Sequence, residues 1–340
     1  MLAVIDCGTT NTRVYILTEE GGIAGQSAEK VGVRDVASTG TKQVLQEGIK
    51  KAFLQAINHA GVELSQVRFA IASGMITSEI GLIDLPHLVA PAGLDELAAS
   101  VKTVKDQSVF PLDVPVVFVR GIRNAVGEGR GLGLLRQMDF MRGEEVQVMG
   151  ILADRRPKLP FNVVVLSSHT KLINVNERGQ ITGSITTISG QFYEALQSTS
   201  IGKSIRPATT VEPVGGYPLT DIVNAASESV TKAGFLRTML MPRFMQVLIS
   251  TNWAERQQFV DAAIAACDME IFAEFGRLGF PNNVPYLLVG HKERCEIYEL
   301  LLKRTFGPEC EVEYIYDQAE IDRFTVTGAF AVADKVNPDN

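Results

Sequence analysis

The chain carries two copies of one short sequence plan, and this repeat constrains the fold more than any other feature. The N-terminal copy reads LAVIDCGTTNTRVYILTEEGGIAG and the central copy reads NVVVLSSHTKLINVNERGQITG. In each copy an apolar run ends at a cluster of small hydroxyl residues, and a Gly-containing turn separates two further apolar runs. One ungapped shift carries Thr12 onto Thr170 and Gly21 onto Gly179. The repeat predicts a duplicated architecture; the alternative is a coincidence between two ordinary β-hairpins.

The repeat also predicts how the chain divides. A length of 340 residues accommodates two domains, so we expect one copy in each, in domains 1–159 and 160–340. Each copy predicts a three-stranded β-meander, and later apolar runs followed by helical periodicity predict strand–helix units. The predicted class is α/β, with a duplicated mixed sheet flanked by helices.

Composition excludes several kinds of partner. Hydrophobic residues make up 46% of the chain, the formal net charge is -7, and no basic stripe occurs, so nucleic acid is not expected as a partner. The four cysteines form no CxxC pair and the four histidines are scattered, which indicates neither a disulfide framework nor a zinc site and favours a cytoplasmic protein. No apolar run approaches 18 residues, so no membrane partner is expected. The sequence leaves the oligomeric state open, a homodimer included.

The first copy contains a turn suited to phosphate. In DCGTTNTR a strand ends in Asp6 and enters a turn whose backbone N–H groups and hydroxyls can surround an anion, with Arg13 adding positive charge. The Asp6 carboxylate could hold Mg²⁺, because this cation prefers oxygen ligands. The second copy offers SSHTK, which has donors but no carboxylate. The alternative for the first turn is a plain hairpin with a capping aspartate.

A duplicated meander with a phosphate turn in each half resembles the actin, sugar kinase and Hsp70 superfamily. The resemblance implies a two-domain actin-like ATPase (ribonuclease H-like) fold, with the nucleotide between the two halves. Four longer segments resemble the 2-dehydro-3-deoxygalactonokinase family: ASGMITSEIGLIDLPHLVAPAGLDELA, FVRGIRN, DFMRGEEVQVMGIL and SSHTKLINVNERGQITGSITTISGQFYEAL. Their order and spacing cover almost the entire chain. This likeness implies ATP-dependent phosphorylation of a six-carbon 2-keto-3-deoxy sugar acid at its terminal hydroxyl.

Two positions depart from the family pattern. The family usually has Trp after the first Asp, where this chain has Cys7, and it usually has a Pro-Gly-Thr-His-Ser-Lys run where this chain has SSHTK. His169 and Lys171 persist, while Ser replaces the Gly that lets phosphate approach closely.

The resemblance and the chemistry of phosphoryl transfer together assign the nucleotide site. Asp6 is the expected Mg²⁺ ligand, and Arg13 is expected near the transferred phosphoryl group or the substrate. The residues expected to hold ATP are Gly8, Thr9, Thr10, Asn11, Thr12, Ser168, His169, Thr170, Lys171 and Gly290. The alternative for His169 is a structural capping role, and the strand-Gly-helix pattern around Gly290 is common in itself.

The segment MRGEE supplies the candidate general base. A helix that begins near Gly143 would direct Glu144 or Glu145 toward the substrate, where one carboxylate could accept the hydroxyl proton. We favour Glu144 over Glu145. The alternatives are a solvated first turn of a helix, stabilised by the helix dipole, and two rival bases, Asp84 and Asp95.

A sugar acid needs a cation and backbone donors in its pocket. Arg142 is the expected cation, with Arg120 and Arg123 in reserve. The segments SGMITS and APAGLD are expected to supply backbone groups to the substrate, through Gly74, Met75, Ile76, Ala92 and Gly93. Either segment could instead be a tight connection that binds no ligand.

Two further functions stay open at this point. A phosphohydrolase of the same fold would release phosphate without any sugar. A non-catalytic sensor would bind sugar acid or nucleotide without turnover, although Asp6, Arg13 and Glu144 argue against it.

Overall fold

The computed structural model describes residues 1–128, 131–207 and 212–336. It divides the chain into two compact units. Unit 1 consists of Met1–Leu159, Val175–Gly183 and the segment from Ala319 onward, and unit 2 consists of Pro160–Asn174 and Ser184–Gln318. The predicted domains 1–159 and 160–340 differ from these units in the two segments that return to unit 1.

The strands follow the predicted repeat. In chain order they are β1 (Leu2–Cys7), β2 (Thr12–Leu17), β3 (Ile23–Glu29), β4 (Ala70–Gly74), β5 (Leu88–Val89), β6 (Lys102–Val104), β7 (Val116–Phe118), β8 (Ile122–Arg123), β9 (Phe140–Met141), β10 (Phe161–Leu166), β11 (Thr170–Val175), β12 (Ile181–Thr187), β13 (Tyr286–Gly290) and β14 (Val312–Ile315). The helices are α1 (Val33–Thr39), α2 (Gln43–Ala60), α3 (Leu94–Ala99), α4 (Glu144–Arg155), α5 (Ser189–Gln197), α6 (Leu219–Ala233), α7 (Phe235–Thr238), α8 (Met241–Leu248), α9 (Trp253–Arg277), α10 (Lys292–Phe306) and α11 (Gln318–Lys335).

The main sheet of unit 1 has the order β3-β2-β1-β4-β7-β6. Strands β1, β2 and β3 are antiparallel, whereas β1, β4 and β7 run parallel. Because both faces of the central strands are covered, β1 and β4 consist almost entirely of buried residues. The parallel pairing of Asp6 with Ser73 and of Cys7 with Gly74 brings the carboxyl ends of β1 and β4 side by side.

Unit 2 repeats this plan. Its sheet has the order β12-β11-β10-β13-β14, in which β13 is parallel to β10 and to β14. A meander followed by parallel strands therefore occurs twice, in the same order, which is the duplicated arrangement of an actin-like ATPase. The predicted fold and the predicted duplication are both confirmed.

The last helix belongs to unit 1 because it packs tightly on α4. A Cβ atom on Gly150 of α4 would lie 1.8 Å from the carbonyl oxygen of Phe324, and one on Gly328 would lie 1.9 Å from that of Val146. Only glycine permits the two backbones to come this close. On the same surface Arg323 Nη2 donates to Asp154 Oδ2 at 2.7 Å. Sequence periodicity predicted this helix but not its partner.

A third, small sheet lies in unit 1, with the order β5-β8-β9. Its strands are two residues long, which is too short for sequence periodicity to detect. It connects the segment after β4 with the segment that enters α4. In the part of the chain described by the structure, no helix is long and apolar enough to span a lipid bilayer.

Candidate active site

The turn after β1 presents backbone N–H groups. The Gly8 N–H donates to the Asn11 carbonyl at 2.9 Å, and the Arg34 N–H donates to the Thr9 carbonyl at 2.9 Å, so these carbonyls are occupied within the fold. Among the described residues, the N–H groups of Thr9, Thr10 and Asn11 have no hydrogen-bond acceptor in the protein. Three neighbouring free donors on a partly exposed turn are suited to an anion.

Thr12 has a different role from its neighbours. It is fully buried, and its Oγ1 donates to the Val31 carbonyl at 2.8 Å. Its hydroxyl therefore attaches β2 to the segment before α1, rather than facing a ligand as the sequence predicted.

A cluster of charges lies beside this turn. Arg13 Nη1 lies 3.3 Å from Asp6 Oδ2, and Arg13 Nε lies 3.9 Å from Asp322 Oδ2. Burial raises the pKa of Asp6; Arg13 counteracts this effect, and the charges of Asp322 and Glu144 add to it. The Arg13 guanidinium therefore faces two carboxylates, Asp6 and Asp322, and the negative charge of Glu144 also acts on Asp6.

Asp322 was not predicted as a site residue. It lies on α11, and it reaches Arg13 only because that helix returns to pack on unit 1. No feature of the surrounding sequence distinguishes it from an ordinary surface aspartate.

Two glycines, Gly74 and Gly143, allow the start of α4 and its first residue, Glu144, to approach the end of β1. Gly74 ends β4 with φ 88° and ψ −153°, a conformation reserved for glycine, and a Cβ atom there would lie 2.5 Å from the Cys7 carbonyl oxygen. Gly143 has φ 109°, and its Cβ position lies 3.5 Å from the Cα atom of Gly74. The start of α4, with Glu144 as its first residue, therefore approaches the end of β1.

Glu145 differs from Glu144 in its burial. Its side chain is fully buried, and both of its carboxyl oxygens accept from the Gly143 N–H, at 2.9 and 2.8 Å. Burial raises the pKa of Glu145 to about 8, with a smaller contribution from the charge of Glu144. At neutral pH this group is therefore largely protonated and enclosed, whereas Glu144 is partly exposed. Of these two carboxyl groups, only that of Glu144 is accessible at the protein surface.

Arg142 is committed to the turn after β4. Its Nη1 donates to Thr77 Oγ1 at 2.8 Å and its Nη2 donates to the Leu85 carbonyl at 2.7 Å. Thr77 in turn donates to the Gly74 carbonyl at 3.2 Å. Arg142 therefore braces the Gly74 turn, and each of its terminal nitrogens is engaged in a hydrogen bond within unit 1.

The other predicted substrate contacts fall into two groups. Met75 lies beside Gly74 in a 3₁₀ turn and is partly exposed, while the side chain of Ile76 is fully buried in the core of unit 1. Ala92 pairs with Ile181, and the N–H of Gly93 donates to Glu96 Oε2 at 2.8 Å at the start of α3.

The Ala92–Gly93 segment is thus a connection between structural elements, which was the alternative considered for it. The rival base Asp95 forms an ion pair with Lys335 at 2.5 Å and is 79% exposed at its side chain. The other rival, Asp84, is exposed. Neither forms part of the Asp6 cluster.

The second turn, in unit 2, is built against the start of α5. The Gln191 N–H donates to the Ser168 carbonyl at 2.8 Å, and a Cβ atom on Gly190 would lie 2.1 Å from the Ser167 carbonyl oxygen. Ser168 and His169 are at the surface and share a hydrogen bond of 3.2 Å between Oγ and Nδ1. Their side chains remain available to a ligand.

The remaining side chains of this turn point inward. Lys171 is 5% exposed, and its Nζ donates to Thr186 Oγ1 at 2.6 Å. Thr170 is fully buried, and its Oγ1 lies 3.1 Å from the Tyr298 hydroxyl. The predicted direct contacts of these two side chains with phosphate therefore do not match their orientation, because both are used inside unit 2.

A buried aspartate supports the second turn. Asp268 accepts from Ser189 Oγ at 2.7 and 2.8 Å and from the Tyr298 hydroxyl at 2.5 Å. Since Tyr298 contacts Thr170 and Ser189 begins α5, one carboxylate connects the turn with α5, α9 and α10. Gly290 lies nearby at the end of β13, where a Cβ atom would lie 2.7 Å from the Leu166 carbonyl oxygen.

The chain is similar to two known proteins described as 2-dehydro-3-deoxygalactonokinases. A protein of Rhizobium meliloti (strain 1021), named as a 2-dehydro-3-deoxygalactonokinase, DgoK1, is 23% identical over 228 residues. That alignment covers 67% of this chain and 66% of the relative, just under two thirds of the relative's length. A crystal structure from Sinorhizobium meliloti, also described as a 2-dehydro-3-deoxygalactonokinase, superposes with a TM-score of 0.71 at 20% identity, covering 98% of this chain and 96% of that one.

The strongest of these findings concerns the family. A sequence profile of the family described as 2-keto-3-deoxy-galactonokinase matches residues 6–321. The matched range begins at Asp6 and ends one residue before Asp322, so it contains the turns after β1 and β10 and the start of α4. Because the match extends over nearly the whole chain, this protein belongs to the 2-keto-3-deoxy-galactonokinase family.

Proposed function

We propose that this chain transfers the terminal phosphoryl group of ATP to the terminal hydroxyl of 2-dehydro-3-deoxygalactonate, giving the 6-phosphate. The observation that carries the proposal is the arrangement at the end of β1, where Asp6, Arg13 and Glu144 meet beside the three free N–H groups of the Thr9–Asn11 turn. Phosphoryl transfer needs positioning, charge neutralisation and a group that orients the attacking hydroxyl, and this arrangement offers one candidate for each.

The donor set at Asp6 is suited to Mg²⁺. Among the described residues, no group of three or more His, Cys, Asp or Glu side chains could hold a metal ion by itself. Magnesium in kinases is commonly held by one or two carboxylates together with substrate phosphates and water. Asp6 would supply that carboxylate, and bound Mg²⁺ would neutralise charge on the phosphates.

Glu144 is the proposed general base. It is partly exposed at the first position of α4, in the cluster that contains Asp6, so its carboxylate can accept the proton of the attacking hydroxyl. Arg13 stabilises the charge that develops on the transferred group. In unit 2, Ser168, His169 and Gly290 are the residues proposed to contact the nucleotide.

An ADP-release assay with Mg-ATP tests the function. The panel is 2-dehydro-3-deoxygalactonate, its gluconate epimer, galactonate, and no sugar. Release only with a 2-keto-3-deoxy acid is expected and identifies the preferred epimer. Release without sugar would replace the kinase by a phosphohydrolase, and binding detected by thermal shift without any release would indicate a sensor.

A further inference from the structure

The small sheet β5-β8-β9 has one buried face and one exposed face. Its register aligns Leu88, Ile122 and Met141 in one row, and Ile122 and Met141 are buried at 0% and 2% exposure. Since side chains alternate between the two faces of a sheet, the next row points the opposite way. That row contains Val89, Arg123 and Phe140. We call the face that carries this row the outer face.

A second row of the outer face adjoins the segment that leads into α4. The side chains of His87 and Arg142 converge over Gly121, where a Cβ atom would lie 2.7 Å from Arg142 Cγ and 2.9 Å from His87 Cδ2. Arg142 is followed directly by Gly143 and Glu144, the start of α4. The outer face is therefore continuous with the approach to the proposed base.

The outer face carries two arginines, Arg123 and Arg142, beside the imidazole of His87. The pKa of His87 is lowered from 6.5 to about 4, chiefly by burial and also by the nearby charges of Arg142 and Arg123, against an opposite effect of Asp84 and Glu79. The imidazole is therefore neutral at pH 7. Within the described ranges, neither of these arginines forms an ion pair with a carboxylate, so their positive charge is not cancelled by contact.

The two arginines differ in exposure and in how their terminal nitrogens are held. Arg142 is partly buried, and each of its terminal nitrogens donates one hydrogen bond, to Thr77 Oγ1 and to the Leu85 carbonyl. Arg123 is exposed, and one hydrogen bond is seen for it, from Nη1 to the Asn124 carbonyl at 3.3 Å. A guanidinium has five N–H donors, so Arg123 retains the donors needed for a paired contact with a carboxylate.

Apolar surface lies next to Arg123 on the same face. Phe140 is 59% exposed and Val89 is 48% exposed. The Phe140 ring packs against His87 with its centroid 5.0 Å away, which holds the ring in place. A deoxy sugar acid has a CH₂ group beside its keto carbon, and that part of the molecule is suited to an aromatic surface.

The spacing of the two rows matches the length of the substrate. Two residues along a strand separate the Arg123 row from the Arg142 row by roughly 7 Å. An extended six-carbon chain has five C–C bonds, nearly the six backbone bonds that two residues contain. A carboxylate held at Arg123 would therefore leave the far end of the molecule near the Arg142–Glu144 segment.

We infer that Arg123 binds the carboxylate of the sugar acid, that Phe140 packs on its carbon chain, and that Arg142 is a positioning residue which braces the Gly74 turn. This inference rests on the proposed function and specifies which residues select an acid over a neutral sugar. It replaces the sequence-based choice of Arg142 as the carboxylate ligand.

The test compares Arg123→Gln with Arg123→Lys and with Arg68→Gln. Arg68 is a matched control because it is an exposed arginine far from the site. Its backbone N–H donates to the Met1 carbonyl, which lies at the opposite end of the sheet from Asp6. Each variant is assayed for ADP release with the sugar acid and with its neutral C1 amide. Binding of the acid is also measured by calorimetry without ATP.

In Arg123→Gln we expect the KM for the acid to rise about 10- to 100-fold, which corresponds to the loss of a hydrogen bond to a charged group. We expect kcat to change less than about twofold. The preference of the wild type for acid over amide should disappear in Arg123→Gln, persist in part in Arg123→Lys and stay intact in Arg68→Gln.

An unchanged KM and an unchanged acid preference in Arg123→Gln, with an active wild type, would overturn the inference and leave the proposed function standing. A wild type that binds the acid without turnover, while Arg123→Gln does not bind it, would support the inference and overturn the kinase. A wild type that fails to bind the acid would overturn both.

Discussion

Substitution of Glu145 by Gln should flatten the pH dependence of stability. The pKa of this fully buried carboxyl is raised from 4.5 to about 8, chiefly by burial. Between pH 4.5 and pH 8 the folded chain keeps a proton on Glu145 that the unfolded chain releases. The contribution of Glu145 to the free energy of unfolding is therefore fully present below pH 4.5 and is lost as the pH rises toward 8. At about 1.36 kcal/mol per pH unit, the wild type should lose about 4 kcal/mol between pH 5 and pH 8 through this one group.

The glutamine side chain keeps an oxygen that can accept from the Gly143 N–H, but it does not titrate in this range. Any constant cost of burying the amide NH₂ cancels when slopes rather than absolute stabilities are compared. Calorimetric unfolding of wild type and Glu145→Gln at pH 5, 6.5 and 8 gives the two slopes. Trp253, the single tryptophan, lies in unit 2, so its fluorescence follows the other unit separately.

Parallel slopes for the two proteins would refute this reasoning. They would mean that Glu145 is ionised in the folded state and that its two contacts with the Gly143 N–H outweigh its burial.

Three further results are expected. Gly74→Ala places a Cβ atom 2.5 Å from the Cys7 carbonyl oxygen at φ 88°, so it should lower the free energy of unfolding by about 1 to 3 kcal/mol and also lower kcat. Gly61→Ala is the control, because Gly61 has φ 66° but open space around its Cβ position. Equal losses of stability in the two variants would contradict a local clash. Asp268→Ala removes the acceptor of the Ser189 and Tyr298 hydroxyls and should destabilise unit 2 by about 2 to 4 kcal/mol. Tryptophan fluorescence during urea unfolding measures this change, and an unchanged midpoint would show that water replaces the carboxylate. Asp6→Asn should weaken the binding of Mg-ATP while leaving Mg-free ATP binding nearly unchanged in calorimetry, and equal affinities for Mg-ATP in both proteins would remove Asp6 as the metal ligand.

The sequence was sufficient for the parts of the fold that repeat locally. The meanders, the strand–helix units and the turn after Asp6 all depend on residues close together in the chain, where periodicity and turn chemistry are informative. The start of α4 at Glu144 was predicted for the same reason, from the Gly143 position and two acidic residues in the first turn.

The parts that depend on distant contacts were not predictable. Asp322 joins Arg13 through a helix that returns to unit 1 from the far end of the chain, and the Gly150 contact that allows this return involves Phe324. Likewise, nothing in the segment MRGEE reveals that Arg142 is used by Thr77 and the Leu85 carbonyl.

Side-chain direction was the second source of error. Thr12, Thr170 and Lys171 have residue types suited to phosphate, but their side chains point into the protein. In each hairpin the turn is short, and alternation sends neighbouring residues to opposite faces, so one position decides whether a hydroxyl meets ligand or core.

The most direct test of the central claim is the kcat of ADP release by Glu144→Gln with Mg-ATP and 2-dehydro-3-deoxygalactonate. Glu47→Gln, at an exposed position of α2, is the control and should behave as wild type. If Glu144 accepts the hydroxyl proton, kcat should fall about 10²- to 10⁴-fold while ATP affinity stays unchanged. A kcat close to that of the wild type would contradict the account.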